Sequence, residues 1–80
     1  MDQNNTSRCD LLIANILANP IIELEPLFSE FLNSNGTILL SGILEGQVEK
    51  VVKRYSQNFT DFELENKDEW FRISATRNAY

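Results

Sequence analysis

The fold of this chain is decided by one stretch near its beginning, residues 9–20, which reads CDLLIANILANP. The segment LLIA at its centre is apolar at four successive positions, and such a run predicts a strand that is covered on both faces of a sheet. We place this first strand over residues 9–16. Asn19 and Pro20 then predict the start of a helix, because asparagine is a good N-cap and proline suits the first helical position. A buried strand followed at once by a helix indicates an α/β fold.

The rest of the chain extends this pattern. Apolar residues at helical spacing continue the first helix to a polar turn at 33–36, and Pro26 inside the helix predicts a kink or a restart. The further predicted elements are a second strand over 37–43, a second helix over 45–57, and two hairpin strands over 59–65 and 70–76. The order is therefore β-α-β-α-β-β, with a terminal antiparallel hairpin. Residues 1–8 are polar, and we predict a disordered N-terminal tail there.

The predicted connections leave one face of the sheet without a helix. Right-handed crossovers that advance in the same direction place both helices on the same face. The first two strands nevertheless have the composition of strands that are buried on both faces. Two explanations fit: another part of a larger protein covers the open face and the exposed first strand, or a second copy of the chain does.

Composition excludes several classes of function. The chain has 80 residues, with 12 acidic against 7 basic side chains and a net charge of −5, so direct binding to nucleic acid is disfavoured, whereas a basic protein substrate is compatible. With one cysteine and no histidine, a disulfide within the chain, a Cys/His zinc site and a Ser-His-Asp triad are all excluded. No signal sequence and no apolar run of membrane-spanning length is present, so we predict a cytoplasmic location without membrane attachment.

Two segments resemble motifs of a known enzyme family. Residues 10–20 (DLLIANILANP) and residues 40–44 (LSGIL) are similar to motifs of the methyltransferases that modify the L-eleven protein of the large ribosomal subunit. Trp70, after an acidic hairpin, resembles the closing strand pair of that family. The resemblance extends over about residues 9–76.

The resemblance implies that residues 9–80 form a partial methyltransferase domain, the C-terminal half of a Rossmann-like sheet. The two parallel strands would be the fourth and fifth of seven, and the last strand of the chain would lie between the second and the third. The absent half would supply the glycine-rich loop, and an acidic residue after the second strand, that hold most of the cofactor S-adenosylmethionine. A separate domain that binds the ribosomal protein would also be absent.

Asn15 is the site residue that the resemblance carries over. The family's asparagine at the end of the fourth strand lines the junction between cofactor and substrate amine, and an amide oxygen can accept a hydrogen bond from an amine. The competing interpretation is a strand-end asparagine that satisfies local backbone groups. Asn19 and Pro20 are interpreted first as a helix cap, and a role in shaping the substrate pocket is the lesser interpretation. Ser41 and Gly42 are candidates for the substrate pocket or for close packing at a strand end. No catalytic acid or base and no metal ligand is predicted.

The resemblance thus implies a fragment of an S-adenosylmethionine-dependent protein N-methyltransferase that acts on a ribosomal protein and is inactive alone. The alternative is a non-catalytic remnant or small interaction module that forms a homodimer through the exposed strand or sheet face. Trp70 is predicted to pack in the core or within the hairpin, and stacking on a ligand is the lesser interpretation.

Overall fold

The computed structural model describes residues 8–79, which form one mixed sheet with two helices against it. A short 3-10 turn, Glu45–Gln47, precedes the second helix. The elements are β1 (Cys9–Asn15), α1 (Ala18–Phe31), β2 (Leu32–Leu44), α2 (Val48–Tyr55), β3 (Phe59–Lys67) and β4 (Trp70–Arg77). The predicted order β-α-β-α-β-β is confirmed. Of the predicted disordered tail, residues 1–7 lie outside the described residues.

The strands lie in the order β1-β2-β4-β3. β1 and β2 are parallel, and β4 is antiparallel both to β2 and to β3. The prediction that the last strand lies between the second and the third is therefore confirmed. Because β4 runs antiparallel, its beginning lies beside the carboxyl end of β2, where Trp70 pairs with Leu44.

Both helices pack on one face of the sheet, as right-handed crossovers in one direction require. The hydroxyl of the buried Tyr55 on α2 donates a hydrogen bond of 2.7 Å to the carbonyl oxygen of Ile21 on α1, which joins the two helices. Beneath them lies the apolar core, formed by Ala14, Ala18, Ile21, Leu32, Ile38, Leu40, Ile43, Val51, Tyr55, Phe59, Ile73 and Ala75.

The opposite face of the sheet is open among residues 8–79. The side chains of Leu11 and Ile13 on β1 are 55% and 62% exposed. Within residues 8–79, β1 is therefore covered on one face alone, and what covers its other face stays a prediction. The expectation that one face carries no helix is confirmed.

The start of α1 differs from the prediction. The helix begins at Ala18, after Leu17, whose side chain makes no capping hydrogen bond, so Asn19 is not the N-cap and Pro20 is not the first helical residue. Pro20 fits because the backbone N–H groups of the first turn have no partner within the helix. The helix also continues through Pro26 without a restart. Packing against the core, rather than local propensity, keeps it continuous there.

β2 begins earlier than predicted. It follows α1 directly at Leu32, so the polar segment 33–36 belongs to the strand instead of forming a separate turn. Asn35 within this segment has a φ of 69°, a left-handed conformation that asparagine tolerates better than most residues. The predicted hairpin is confirmed, and residues Asp68 and Glu69 connect its two strands.

Candidate functional site

The carboxyl ends of the two parallel strands bring three of the predicted site residues together. Asn15, the last residue of β1, pairs with Ser41 on β2. Gly42 follows directly, and a Cβ atom added to it would lie 2.9 Å from the side-chain oxygen Oδ1 of Asn15. In parallel α/β sheets this end of the strands is where ligands bind. We call these three residues, Asn15, Ser41 and Gly42, the strand-end cluster. The cluster lies at the end of the sheet where ligands bind in α/β proteins.

The side chain of Asn15 is exposed and makes no hydrogen bond to any of residues 8–79. An asparagine that served only to satisfy a strand end would bond a neighbouring backbone group, and the structure shows no such bond among the described residues. The amide keeps one acceptor oxygen and two donor hydrogens available for another molecule.

A groove lies beside the strand-end cluster, with a volume of about 570 Å³. Ser41 and Gly42 form part of its wall, and the beginning of β4 and the end of β3 form the rest. The lining residues from the hairpin are Glu65, Asn66, Lys67, Trp70, Phe71 and Arg72. Trp70 is half-exposed, so its indole offers a flat apolar surface to a ligand.

Trp70 lies in the hairpin, where it pairs with Leu44 and Lys67, and it also lines the groove. Its position there is compatible with the lesser interpretation, a stacking contact with a ligand, which stays a prediction. The alternation of side chains in β4 does not indicate this position, because the same pattern occurs whichever way the strand runs in the sheet. Trp70 lies at the carboxyl end of the parallel strands because β4 pairs antiparallel with β2.

Asn19 and Pro20 lie apart from this groove. The side-chain oxygen of Asn19 accepts a hydrogen bond of 3.3 Å from the ammonium group of Lys50 on α2. Neither Asn19 nor Pro20 is among the residues that line the groove. Their contact with a substrate stays a prediction.

The charged residues of the hairpin form an exposed face. Arg72 on β4 forms an ion pair with Glu65 on β3 across the open face of the sheet. Among residues 8–79 no group of His, Cys, Asp and Glu side chains is placed to hold a metal ion. The helices in this part of the chain are all too short or too polar to cross a membrane.

A parallel β-α-β unit with an antiparallel strand beside its second strand is the arrangement of the C-terminal part of a class I methyltransferase fold. The ribosomal protein L11 methyltransferase (PrmA) family matches residues 1–78. The chain belongs to this family.

Individual relatives agree with the assignment. The ribosomal protein L11 methyltransferase of Shewanella sediminis is 41% identical over 76 residues, which are 95% of this chain and 26% of that protein. The corresponding protein of a Marinomonas species is 39% identical over 72 residues, which are 90% of this chain and 24% of that protein. The chain thus spans about a quarter of the length of the curated relatives it matches.

Solved structures show the same fold. A ribosomal protein L11 methylase from Lactobacillus delbrueckii subsp. bulgaricus superposes with a TM-score of 0.83 at 27% identity, over 90% of this chain and 38% of that one. The structure of an M1.HpyAVI–SAM complex shares the fold alone, with a TM-score of 0.68 at 12% identity over 90% of this chain and 46% of that one.

Proposed function

We propose that this chain forms the substrate side of the methyl-transfer site in an S-adenosylmethionine-dependent enzyme that methylates amino groups of ribosomal protein L11. The observation that carries the proposal is the amide of Asn15 at the carboxyl end of β1, next to an open groove and without a hydrogen bond to any of residues 8–79. Membership of the L11 methyltransferase family supports the choice of reaction and of substrate.

Asn15 has an orienting role in this proposal. Its Oδ1 accepts a hydrogen bond from the substrate amine and so directs the nitrogen lone pair toward the methyl group. S-adenosylmethionine, when bound, supplies an electrophilic methyl group on its sulfonium. An amide does not take up a proton near neutral pH, so Asn15 contributes placement and not base catalysis. Placement is the larger requirement of such a transfer, because it needs the reacting atoms in line.

The residues of this chain fit only one end of the cofactor. The three glycines, Gly36, Gly42 and Gly46, are six and four residues apart and form no G-x-G segment. A Cβ atom at Gly46 would meet nothing within 4 Å, so no close backbone approach is prepared there. We therefore propose that the nucleoside part of S-adenosylmethionine is held by another part of the fold. By itself this chain then binds the cofactor weakly and has negligible activity.

The proposed partner is a basic ribosomal protein rather than nucleic acid. The net charge of −5 disfavours a phosphate backbone, while the exposed acids of the hairpin are compatible with a basic protein surface. A cytoplasmic location, where ribosomal proteins are made, agrees with this substrate.

The test uses a chimera in which this chain replaces the matching segment, about a quarter, of the Shewanella sediminis relative. We expect the chimera to methylate L11, and Asn15→Ala to lower kcat by about 100-fold, since a misplaced nucleophile costs this order of rate. Asn33→Ala is the matched control. It also replaces an asparagine by alanine, but at the beginning of β2, away from the strand-end cluster, where the Asn33 amide donates a hydrogen bond to Asp10. Equal rates for Asn15→Ala and the unaltered chimera would remove Asn15 from the site.

Titration calorimetry on the isolated chain tests the claim about the cofactor. We expect no heat of binding with S-adenosylmethionine at micromolar concentrations. Micromolar affinity would contradict the proposal that most of the cofactor site lies elsewhere.

A second candidate function is a small self-associating module without catalysis. It is favoured by the open apolar surface of Leu11, Ile13 and Leu17, the last being 69% exposed, and by the position of β1 at the sheet edge. A second copy that covers this surface would form a homodimer. Sedimentation analysis decides: a dimer that Ile13→Lys dissociates supports this function, and a stable monomer at high concentration rules it out.

A further inference from the structure

We propose that Gly42 is a positioning residue, which acts on methyl transfer by leaving room for the amide of Asn15. This inference rests on the proposed function, because it assumes that Asn15 orients the substrate amine. It goes further in assigning a separate cause to the placement of that amide, namely the absence of a side chain on the neighbouring strand.

The first observation is the conformation of Gly42. Its φ is +82°, in the left-handed region that residues with a side chain rarely adopt. The pairing of β2 with β4 shifts here, since Leu40 pairs with Ile73 and Ile43 pairs with Phe71. Three steps along β2 thus match two along β4, which is a β-bulge with one extra residue. A bulge of this kind re-aims the chain next to a site, and here it lies at the strand-end cluster.

The second observation is the space at Gly42. A Cβ atom would lie 2.9 Å from Oδ1 of Asn15 and 3.3 Å from the carbonyl oxygen of Ile16. The first distance is shorter than real Cβ contacts allow, so either the amide of Asn15 or the backbone at Gly42 must move. The carbonyl oxygen of Ile16 belongs to the backbone and leaves little room for the new methyl group to turn away from the amide. The amide of Asn15 is exposed and makes no hydrogen bond within residues 8–79, so it is the group that moves.

The third observation is that Gly42 itself is held in place. Leu40 and Ile43, on either side of the bulge, are both fully buried beneath the helices. A shift of the backbone at Gly42 would pull one of them out of the core, which is closely packed. The clash therefore falls on Asn15, whose Oδ1 must retreat by roughly half an ångström to reach the ordinary contact range that begins at 3.4 Å.

The placement is tested first in the full 80-residue chain, by the NMR signals of the Asn15 side-chain amide. Gly42→Ala is expected to shift these signals, and Gly36→Ala is expected to leave them unchanged. Gly36 is the matched control because its Cβ would also meet atoms at 3.0 Å, but those belong to Asn33 and Leu32, away from Asn15. Unchanged Asn15 signals in a folded Gly42→Ala chain would overturn the inference, whatever the activity of the enzyme.

Chemical synthesis separates the two roles of Gly42. D-alanine at this position accepts the positive φ, and its methyl group replaces the other hydrogen, away from the contact with Asn15. We expect the D-alanine chain to keep both its fold and the Asn15 signals. If D-alanine and L-alanine displace the signals equally, then Gly42 serves the bulge and not the amide, and the inference is wrong.

The effect on the reaction is tested in the chimera by a double-mutant cycle. Gly42→Ala is expected to lower kcat about tenfold, less than the cost of a full ångström of misplacement. In the Asn15→Ala background the same change should lower kcat less than threefold, because the amide is already gone. Additive effects would overturn the inference, since a residue that is merely structural acts in both backgrounds. If instead Asn15→Ala leaves kcat unchanged, the proposed function fails, while the NMR result still decides whether Gly42 places the amide.

Discussion

The buried carboxylate of Glu25 offers the clearest test of how this small fold is stabilised. Glu25 lies on α1 and is 1% exposed. Its oxygen Oε2 accepts hydrogen bonds from the hydroxyl of Ser29 and, at 2.7 Å, from the amide of Asn58, which precedes β3. Its oxygen Oε1 lies 3.4 Å from Nε of Arg54 on α2. One side chain thus joins both helices to the start of the hairpin.

Replacing Glu25 by alanine removes the carboxylate that accepts from Asn58 and that faces the guanidinium of Arg54. Removing one member of a buried ion pair costs about 3–5 kcal/mol. Arg54 is 37% exposed and regains hydration, so we expect the lower end, about 3 kcal/mol of the free energy of unfolding. For a domain of this size that corresponds to a fall in Tm of about 12–24 °C, at about 4–8 °C per kcal/mol.

The assay is urea and thermal unfolding followed by circular dichroism. Glu23→Ala is the matched control, because Glu23 is an exposed acid of the same helix and should change the free energy of unfolding by about 0.5 kcal/mol or less. Glu25→Gln retains an acceptor oxygen for Asn58 but loses the attraction to Arg54, so an intermediate loss of about 1 kcal/mol is expected. A loss below about 1 kcal/mol for Glu25→Ala, or one equal to that of Glu23→Ala, would refute the reasoning.

Two further predictions concern the helices. Burial, and after it the negative charge of Glu25, raises the pKa of the Tyr55 hydroxyl well above its usual range, with Arg54 acting in the opposite direction. Because the folded chain holds this proton more tightly than the unfolded chain, the contribution of Tyr55 to stability is complete below about pH 10 and is lost as the pH rises above it. In urea unfolding between pH 8 and 11, Tyr55→Phe should therefore reduce the fall in the free energy of unfolding at high pH. The same fall in Tyr55→Phe as in the unaltered chain would contradict the prediction. Pro26→Ala should raise the free energy of unfolding by about 1–3 kcal/mol, because it restores a helical hydrogen bond at an exposed position inside a continuous helix; a lower Tm would show that the proline is needed there.

Much of the fold could be predicted because it depends on local patterns. The apolar run of β1, the helical spacing of α1 and the alternation in β3 and β4 each indicate one element whatever lies around it. The structure differs from the prediction at the bounds of α1 and at the start of β2. Tertiary packing continues the helix through Pro26, and β2 begins at Leu32, with the polar residues 33–36 forming an irregularity in its pairing with β1. Propensity at single residues such as Asn19 is a weak guide when core contacts decide where a helix begins.

The buried polar residues were not predicted at all. Glu25, Ser29 and Arg77 are all nearly inaccessible, yet in the sequence they resemble ordinary surface residues. Arg77 donates from Nε to the carbonyl oxygen of Ser29 at 2.8 Å, a contact between residues 48 positions apart. Such contacts depend on which helices and strands pack together, and a local sequence pattern does not indicate this.

By itself, the sequence determined the order of the elements and the open face of the sheet, because these follow from short segments and from the handedness of connections. Asn15 became a candidate through the resemblance of residues 10–20 to a family motif. Only the tertiary structure decided that the Asn15 amide is unbonded among the described residues, that Trp70 lines the adjacent groove, and that Gly42 leaves the space in which the amide lies. The physical reason is that the strand-end cluster and its groove are built from three strands, and their register is set by the packing of the whole sheet beneath two helices.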